Sequence, residues 1–217
     1  MTLLAQLNRI LDRQLPGATL SLQTVPDCHG LKLYLLDPAF DDRALPLHVQ
    51  ESISDDPPYW IFCWASGRAL ARMILQGQLD VKGKRVIDFG AGSGVVAIAA
   101  SLAGASEVIS CEIDPVANQL ISLNSMANHV TVKRCLRLED VIGEADLLLA
   151  ADVLYERKNL VWLDQFLEYG RDVIVADSRQ KSLSHPGYRV WCNTVTTSFP
   201  DYAEARTYND VTLYRSM

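Results

Sequence analysis

Hydrophobic positions near the start of the chain follow two different periods. In "MTLLAQLNRILDRQL" the apolar residues recur at helical spacing, which predicts an amphipathic helix. "LSLQTV" and "LKLYLL" instead alternate apolar and polar residues on either side of a Pro-Asp-Cys-His-Gly turn, which predicts a β-hairpin. Two prolines in "DDPPYW" then interrupt regular structure, and "CWASGRALARMIL" predicts the next helix.

From Arg85 onward, apolar strand patterns alternate with helical patterns. The predicted strands are "RVIDFG", "EVISCEI", "VTVKRC", "ADLLLAADV" and "DVIVADS". Continuously apolar strands between helices indicate a parallel sheet that is covered on both faces. "YRVWCNTVTT" and "ARTYNDVTLYRS" have no helical pattern between them and predict an antiparallel pair at the end of the sheet. We therefore predict an α/β, Rossmann-like fold with a mostly parallel seven-stranded sheet. In this prediction, residues 1–60 form a helix-and-hairpin extension packed on the core, and residues 61–217 form the ligand-binding domain.

Composition narrows the range of partners. The 217 residues carry a formal net charge of -6, which disfavours a polyanionic partner, because nucleic-acid affinity depends on Lys and Arg at the phosphates. The five cysteines are scattered without a CxxC pair, so we expect reduced thiols in a cytoplasmic protein, with neither a metal site nor a disulfide framework. We expect no signal peptide and no membrane-spanning segment, since the longest apolar run is short.

Three glycines at alternate positions follow the first strand of the predicted core, in "DFGAGSG". Gly90, Gly92 and Gly94 remove side chains at the point where a ligand approaches the backbone in this class of sheet. The helix that follows directs its N-terminus, with its partial positive charge, at whatever is bound there. The sequence therefore predicts a ligand site at this turn.

The spacing of these glycines separates two cofactor classes. Dinucleotide-binding enzymes carry G-x-G-x-x-G, and here Val95 stands at the last position of that pattern. The form present, acidic-x-G-x-G-x-G, is the one that S-adenosylmethionine-dependent methyltransferases carry. In that interpretation Asp88 helps to hold the ammonium of the cofactor's amino-acid end. Glu112, at the end of "EVISCEI", accepts hydrogen bonds from the ribose hydroxyls.

The segment "AADVLYERKN" at the end of the fourth core strand suggests the acceptor. Asp152 and Tyr155 stand at the lip of the site, and the Asn-Pro-Pro-aromatic sequence of many amide- and base-methylating enzymes is absent. A carboxylate suits a cationic acceptor such as lysine, whose side chain ordinarily has a pKa of about 10.4. The expected catalytic gain comes from positioning the amine, without a metal ion. The alternative is that Asp152 caps the following helix.

With "DFGAGSG", "CEIDP" and "ADVLY", the chain resembles the seven-strand protein-lysine methyltransferases with a D-x-x-Y sequence. "PPYWIFCWASGRALARMIL" is similar to the segment before the cofactor domain in the electron-transfer-flavoprotein β-subunit lysine methyltransferases and their bacterial relatives. This resemblance implies S-adenosylmethionine as cofactor and S-adenosylhomocysteine as product. It implies that Trp64 packs on the adenosyl group, that Ala151 contacts the cofactor through its backbone, and that Asp152 and Tyr155 frame the lysine of a protein substrate.

Several alternatives stay open from the sequence. "GSGVVAIAASLAGA" is also similar to the bacterial methyltransferases of a large-subunit ribosomal protein, although those lack the "DVLY" arrangement. A small-molecule N-methyltransferase acting on an aromatic amine and a cofactor-binding module without catalysis are two further hypotheses. Tyr59 and Trp60 either line the substrate entrance or belong to the core. The target protein and the number of methyl groups are open; for the oligomeric state a monomer is the simplest expectation.

Overall fold

Seven strands form one sheet, and two more form a separate hairpin. The computed structural model describes residues 1–41, 57–201 and 205–217. The antiparallel hairpin consists of Leu20–Thr24 (β1) and Lys32–Leu36 (β2). The strands of the sheet are Arg85–Phe89 (β3), Glu107–Cys111 (β4), Lys133–Cys135 (β5), Leu147–Ala151 (β6), Val173–Asp177 (β7), Tyr188–Val195 (β8) and Asp210–Ser216 (β9).

The order of the strands defines where a ligand site can form. Across the sheet they follow the order β5-β4-β3-β6-β7-β9-β8. Strands β3, β4, β5, β6 and β7 pair with one another in parallel, and β9 is antiparallel to both β7 and β8. From β3 the chain proceeds outward to β5 and then returns to β6 on the other side of β3. This reversal opens a crevice at the carboxyl ends of β3 and β6. The predicted mostly parallel sheet with an antiparallel C-terminal pair is confirmed.

Five α-helices surround these strands in the described residues. They are Leu3–Gln14 (α1), Ala65–Leu75 (α2), Val95–Leu102 (α3), Pro115–Ala127 (α4) and Trp162–Tyr169 (α5). Helix α4 begins at Pro115, whose fixed φ suits the first turn, and the Asp114 side chain caps the helix by accepting the Val116 N–H. The helical pattern in "KNLVWLDQFLEYG" forms a 3-10 segment, Arg157–Val161, that runs directly into α5.

The strand side chains alternate between two apolar cores. Leu147 and Leu149 of β6 belong to one cluster with α2 and α3, whereas Leu148 and Ala150 belong to the opposite cluster with Phe166 of α5. Every one of these side chains is fully buried. Burial on both faces explains why β6 is apolar at each position rather than at alternate positions.

The N-terminal hairpin is attached to α4 through two asparagines. The Asn124 carboxamide oxygen accepts the Tyr34 N–H at 2.7 Å, and the Asn128 carboxamide oxygen accepts the Lys32 N–H at 2.9 Å. One helical turn between the asparagines spans about 6 Å, and two strand residues span nearly the same length, so both bonds form together. Leu7 and Leu11 of α1 complete a third apolar cluster against α4.

Part of the predicted interruption before α2 lies outside the described residues. The prolines at 57 and 58 precede a 3-10 turn, Tyr59–Ile61, while residues 55 and 56 are not described. Among the described ranges no helix has both the length and the apolar character needed to cross a membrane. The same ranges contain no group of three or more His, Cys, Asp or Glu side chains arranged to hold a metal ion.

Candidate functional site

The glycine turn, residues 90–94, joins β3 to α3 at the crevice. Its three glycines differ in what a side chain at each position would meet. All three have positive φ angles, of 68°, 51° and 80° for Gly90, Gly92 and Gly94. A Cβ on Gly90 would lie 2.6 Å from Val153, and a Cβ on Gly94 would lie 3.1 Å from Ile121. A Cβ on Gly92 would meet only the Gly90 carbonyl oxygen, at 4.0 Å. Two of the glycines therefore serve packing, and Gly92 presents bare backbone to open space.

Asp88, at the end of β3, is held by the helix that follows it. Its carboxylate accepts the Ala97 N–H at 2.9 Å, in the first turn of α3. Burial raises the pKa of Asp88 to about 7; the Ala97 hydrogen bond opposes this rise and the Glu112 carboxylate adds to it. A buried carboxyl with this pKa is suited to meeting a positive charge, since a cation beside it would restore its ionised form.

Glu112 connects the end of β4 to the glycine turn. Its two carboxylate oxygens accept the Gly92 N–H at 2.8 Å and the Asp114 N–H at 2.9 Å. Burial raises the pKa of Glu112, and these backbone hydrogen bonds oppose the rise. Each oxygen retains a second lone pair that can accept from a hydroxyl. The carboxylate is thus fixed in place at the position where a cofactor's ribose is expected.

The Asp152 carboxylate accepts four hydrogen bonds from other residues of the protein, more than the predicted role of aligning an amine requires. One carboxylate oxygen, Oδ1, accepts hydrogen bonds from the Ser66 hydroxyl and from the Ser178 hydroxyl and N–H. Among the described residues, the other oxygen, Oδ2, accepts one hydrogen bond, from the Ser66 N–H at 3.0 Å. Asp152 therefore caps α2, a helix that precedes it in the chain, and does not cap the helix that follows it. The single bond at Oδ2 leaves that oxygen able to accept a further donor.

An aromatic cluster lies beside Asp152. The Tyr59 ring is 5.8 Å from the Tyr155 ring and 5.9 Å from the Trp64 ring, and Phe62 lies 5.2 Å from Trp64. Trp64 donates its indole N–H to the Tyr59 carbonyl at 2.9 Å. Tyr59 and Tyr155 are each about half exposed, at 48% and 49%. Trp60, in contrast, is buried with α1 and α4, so the possibility that it lines an entrance is wrong.

The glycine turn and the segment that carries Asp152 come into contact just after the carboxyl end of β6. Val153 packs against Gly90, which joins the lip to the glycine turn. Ala151 lies at the end of β6, where Gly67 of α2 comes so close that a Cβ on Gly67 would lie 3.9 Å from Ala151. Burial raises the pKa of Tyr155, and the neighbouring Tyr59 and Glu156 side chains add to the rise.

Sequence reasoning missed the residues that hold Asp152 in position. Ser66 and Ser178 stand 86 and 26 residues away from it, and nothing in their local sequence marks them. Asp177, fully buried at the end of β7, accepts the N–H groups of Leu154, Arg179 and Gln180 and ties the lip to the next loop. Its position at a strand end, directly before Ser178, was a signal that the sequence did offer.

These features, a reversed strand order with an alternate-glycine turn and an acidic residue on the next strand, define the class I methyltransferase fold. The protein family described as "Ribosomal protein L11 methyltransferase (PrmA)" matches residues 70–157. A ribosomal protein L11 methylase from Lactobacillus delbrueckii subsp. bulgaricus has a similar structure, with a TM-score of 0.54 and 22% identity over 70% of this chain and 77% of that one.

Magnesium protoporphyrin IX methyltransferase from Synechocystis, solved with bound SAH, has a TM-score of 0.52 and 13% identity. That likeness covers 70% of this chain and 82% of the other and concerns the fold. In sequence, the chain is 34% identical over 137 residues to the mouse electron transfer flavoprotein beta subunit lysine methyltransferase. The match covers 58% of this chain and 53% of the mouse protein, so the chain spans about half the length of that relative. The resemblance inferred from the motifs is confirmed as a similarity.

Proposed function

We propose that the protein is an S-adenosylmethionine-dependent methyltransferase whose acceptor is a lysine side chain of another protein. The observation that carries the proposal is the meeting of two groups at one crevice. The glycine turn with Glu112 forms one wall, and Asp152 with Tyr155 forms the other, joined through Val153 and Gly90. The similarity to relatives named as lysine methyltransferases supports the same acceptor.

The residues around the turn fit the proposed cofactor. Gly92 leaves space where a side chain would otherwise stand, and its N–H is already oriented by the Glu112 carboxylate. Glu112 has lone pairs for the two ribose hydroxyls, Asp88 is the nearby carboxyl for the ammonium, and Trp64 offers a ring face for the adenosyl group. Ala151 lies at the strand end beside them. The cofactor, when bound, supplies a methyl group on a positively charged sulfur.

On the acceptor side, the protein has to deliver an amine that has lost its proton. A lysine side chain ordinarily has a pKa of about 10.4 and arrives as an ammonium. Asp152 Oδ1 already accepts three hydrogen bonds, from Ser66 and Ser178. Oδ2 accepts one from the Ser66 N–H and can accept one N–H of that ammonium as well. A positive charge nearby lowers the pKa of the amine and favours loss of the proton to water. Asp152 then acts by alignment, and the transfer requires no nucleophilic residue of the protein.

The aromatic side chains complete the acceptor wall. Tyr59 and Tyr155 are half exposed, and a lysine ammonium or its methylated form is attracted to such ring faces by the cation–π interaction. The open, half-exposed position of these rings favours an acceptor presented from a protein surface over an enclosed metabolite. We further propose a cytoplasmic location, on the ground of the scattered cysteines, and a monomeric state. The formal net charge of -6 supports the proposal that there is no nucleic-acid partner.

A labelled methyl donor provides the test. The purified protein is incubated with radiolabelled S-adenosylmethionine and a dialysed cell extract, and protein, nucleic acid and small molecules are separated and counted. Label in a discrete protein band that disappears with Asp152→Asn is the expected result, and peptide mapping of that band should place the label on lysine. Label confined to the small-molecule fraction would replace this proposal with metabolite N-methylation. Label on the ribosomal L11 protein alone would identify the other family the chain resembles.

A further inference from the structure

Two cysteines on neighbouring strands lie in contact behind the glycine turn. Cys111 ends β4 and Cys135 ends β5, and they are register partners in this parallel pair. Their sulfur atoms are 2.7 Å apart and both are free thiols. They are 24 residues apart in the chain, so no local sequence motif predicts that they are in contact.

The two thiols are not equivalent. Cys111 is almost fully buried, at 2% exposure, while Cys135 is partly exposed. The two sulfur atoms share one hydrogen bond, which lowers the pKa of Cys135 and, together with burial, raises the pKa of Cys111. The accessible cysteine of the pair is thus the better nucleophile, and the buried one is placed to react with it afterwards.

The backbone carbonyls of these two cysteines accept hydrogen bonds from the glycine turn and from Glu112. The Cys111 carbonyl accepts the Gly90 N–H at 2.8 Å and the Ala91 N–H at 3.3 Å. The Cys135 carbonyl accepts the Glu112 N–H at 3.0 Å. A change in the geometry of either cysteine therefore acts on both the glycine turn and Glu112.

We propose that Cys111 and Cys135 form an oxidisable dithiol, a modification site for peroxides that controls how tightly the glycine turn holds its ligand. The Cys135 thiolate attacks a peroxide oxygen, which yields a sulfenic acid on Cys135 and releases water when the peroxide is hydrogen peroxide. The Cys111 thiol then attacks the sulfenic sulfur, an S–S bond forms, and a second water leaves. The two thiols lose two electrons and two protons, and the peroxide takes them up.

The oxidised form should hold the ligand less well. A disulfide requires a Cβ–S–S–Cβ dihedral angle near 90°, a constraint that two thiols in contact do not have. Imposing it on the ends of β4 and β5 shifts the carbonyls that hold Gly90, Ala91 and Glu112. This second half of the inference rests on the proposed function, because it takes S-adenosylhomocysteine as the ligand; disulfide formation itself does not depend on that function.

The full-length protein is first reduced, freed of reductant and exposed to hydrogen peroxide. Intact mass and non-reducing peptide mapping then follow the thiols, and calorimetry measures the affinity for S-adenosylhomocysteine. We expect a mass lower by two hydrogens, one crosslink between Cys111 and Cys135, and an affinity at least threefold weaker that dithiothreitol restores. Cys135→Ser should lose the crosslink and the peroxide response. Cys192→Ser is the matched control, a partly buried thiol on β8, and should behave as the wild type.

The possible outcomes distinguish formation of the disulfide from its effect on ligand affinity. Peroxide treatment that leaves the mass unchanged, or that gives only sulfinic acid on Cys135, would overturn the dithiol. A crosslink with unchanged affinity would overturn its control of the site. Failure of the reduced protein to bind S-adenosylhomocysteine would count against the proposed function and would leave the crosslink measurement valid. Should Cys135→Ser fold poorly by circular dichroism, Cys135→Ala serves in its place.

Discussion

The two walls of the crevice are built in different ways. The wall that we propose for the cofactor is mostly local: Asp88, the glycine turn and Ala97 belong to one strand–turn–helix run, and Glu112 directly follows the next strand. The acceptor wall is assembled from distant segments, since Asp152 depends on Ser66 and Ser178 and Tyr155 packs on Tyr59. The local wall is determined by backbone conformation and the remote wall by side-chain hydrogen bonds and ring contacts.

This difference predicts an asymmetry between binding and catalysis. Changes on the acceptor wall should leave cofactor affinity nearly intact, because the hydrogen bonds that Asp152 accepts in the described part of the chain come from Ser66 and Ser178 and not from the glycine turn. Changes at the turn should remove both cofactor binding and activity. The variants below test the asymmetry, beginning with the largest expected effect.

Gly92→Arg should abolish cofactor binding. The arginine side chain would extend into the open space in front of the turn, where the ligand is expected, and affinity for S-adenosylhomocysteine should fall beyond the range of calorimetry. Gly77→Arg is the matched control, because Gly77 also has a positive φ, of 73°, and a Cβ there meets nothing within 4 Å. Both variants share the backbone strain. Equal binding by the two variants would place the ligand elsewhere.

Asp152→Asn should reduce methyl transfer about 100-fold or more with cofactor affinity within about threefold of the wild type, the expected pattern for loss of acceptor alignment. Asparagine tolerates the positive φ of 52° at this position, so the backbone is retained. Its amide group would face donors that now meet a carboxylate, and thermal unfolding should report a loss of about 1–3 kcal/mol.

Ser178→Ala is the control for that structural cost. It removes a hydroxyl donor to Asp152 and keeps the carboxylate, so stability should fall by about 1 kcal/mol and activity by less than tenfold. A Ser178→Ala variant as inactive as Asp152→Asn would mean that the carboxylate acts through the fold and not on the acceptor.

Cofactor affinity should depend on pH through Asp88. Its pKa is about 7 in the folded protein, against an ordinary value of 3.8, so the folded protein retains a proton between these values that the unfolded chain has lost. This group's contribution to stability therefore falls as pH rises from about 4 to 7. An ammonium ligand needs the ionised carboxylate, and affinity should fall about tenfold between pH 8 and 6. Asp88→Asn should remove this dependence of cofactor affinity on pH, which calorimetry at pH 6 and pH 8 measures. If the variant retains the pH dependence, a group other than Asp88 takes up the proton.

Tyr59→Ala should have the smallest effect. Loss of one exposed cation–π partner costs about 0.5–1 kcal/mol, or a two- to fivefold rise in the acceptor KM, with kcat nearly unchanged. Tyr59→Phe keeps the ring and should behave as the wild type in steady-state kinetics. If phenylalanine is as damaging as alanine, the hydroxyl and not the ring face matters.

How much of this site could be predicted depended on the range of its contacts. Gly90, Gly92, Gly94 and Glu112 were accessible from the sequence because their spacing reflects a strand, a turn and the start of a helix. The roles of the individual glycines were not accessible, since Val153 and Ile121 come from other elements. Likewise, the hydrogen bonds of Asn124 and Asn128 to β2 were not accessible, since Tyr34 and Lys32 are about 90 residues away in the chain.

Local sequence patterns were enough to predict the alternation of strands and helices, the parallel sheet with its antiparallel end and the position of the glycine turn, because hydrophobic period and backbone preference act over a few residues. The folded structure was needed to show that Asp152 is held by Ser66 and Ser178, that Trp60 is buried while Tyr59 faces Tyr155, and that Cys111 touches Cys135. Each of these contacts joins residues that the fold alone brings together, at separations where chain spacing carries no information about distance.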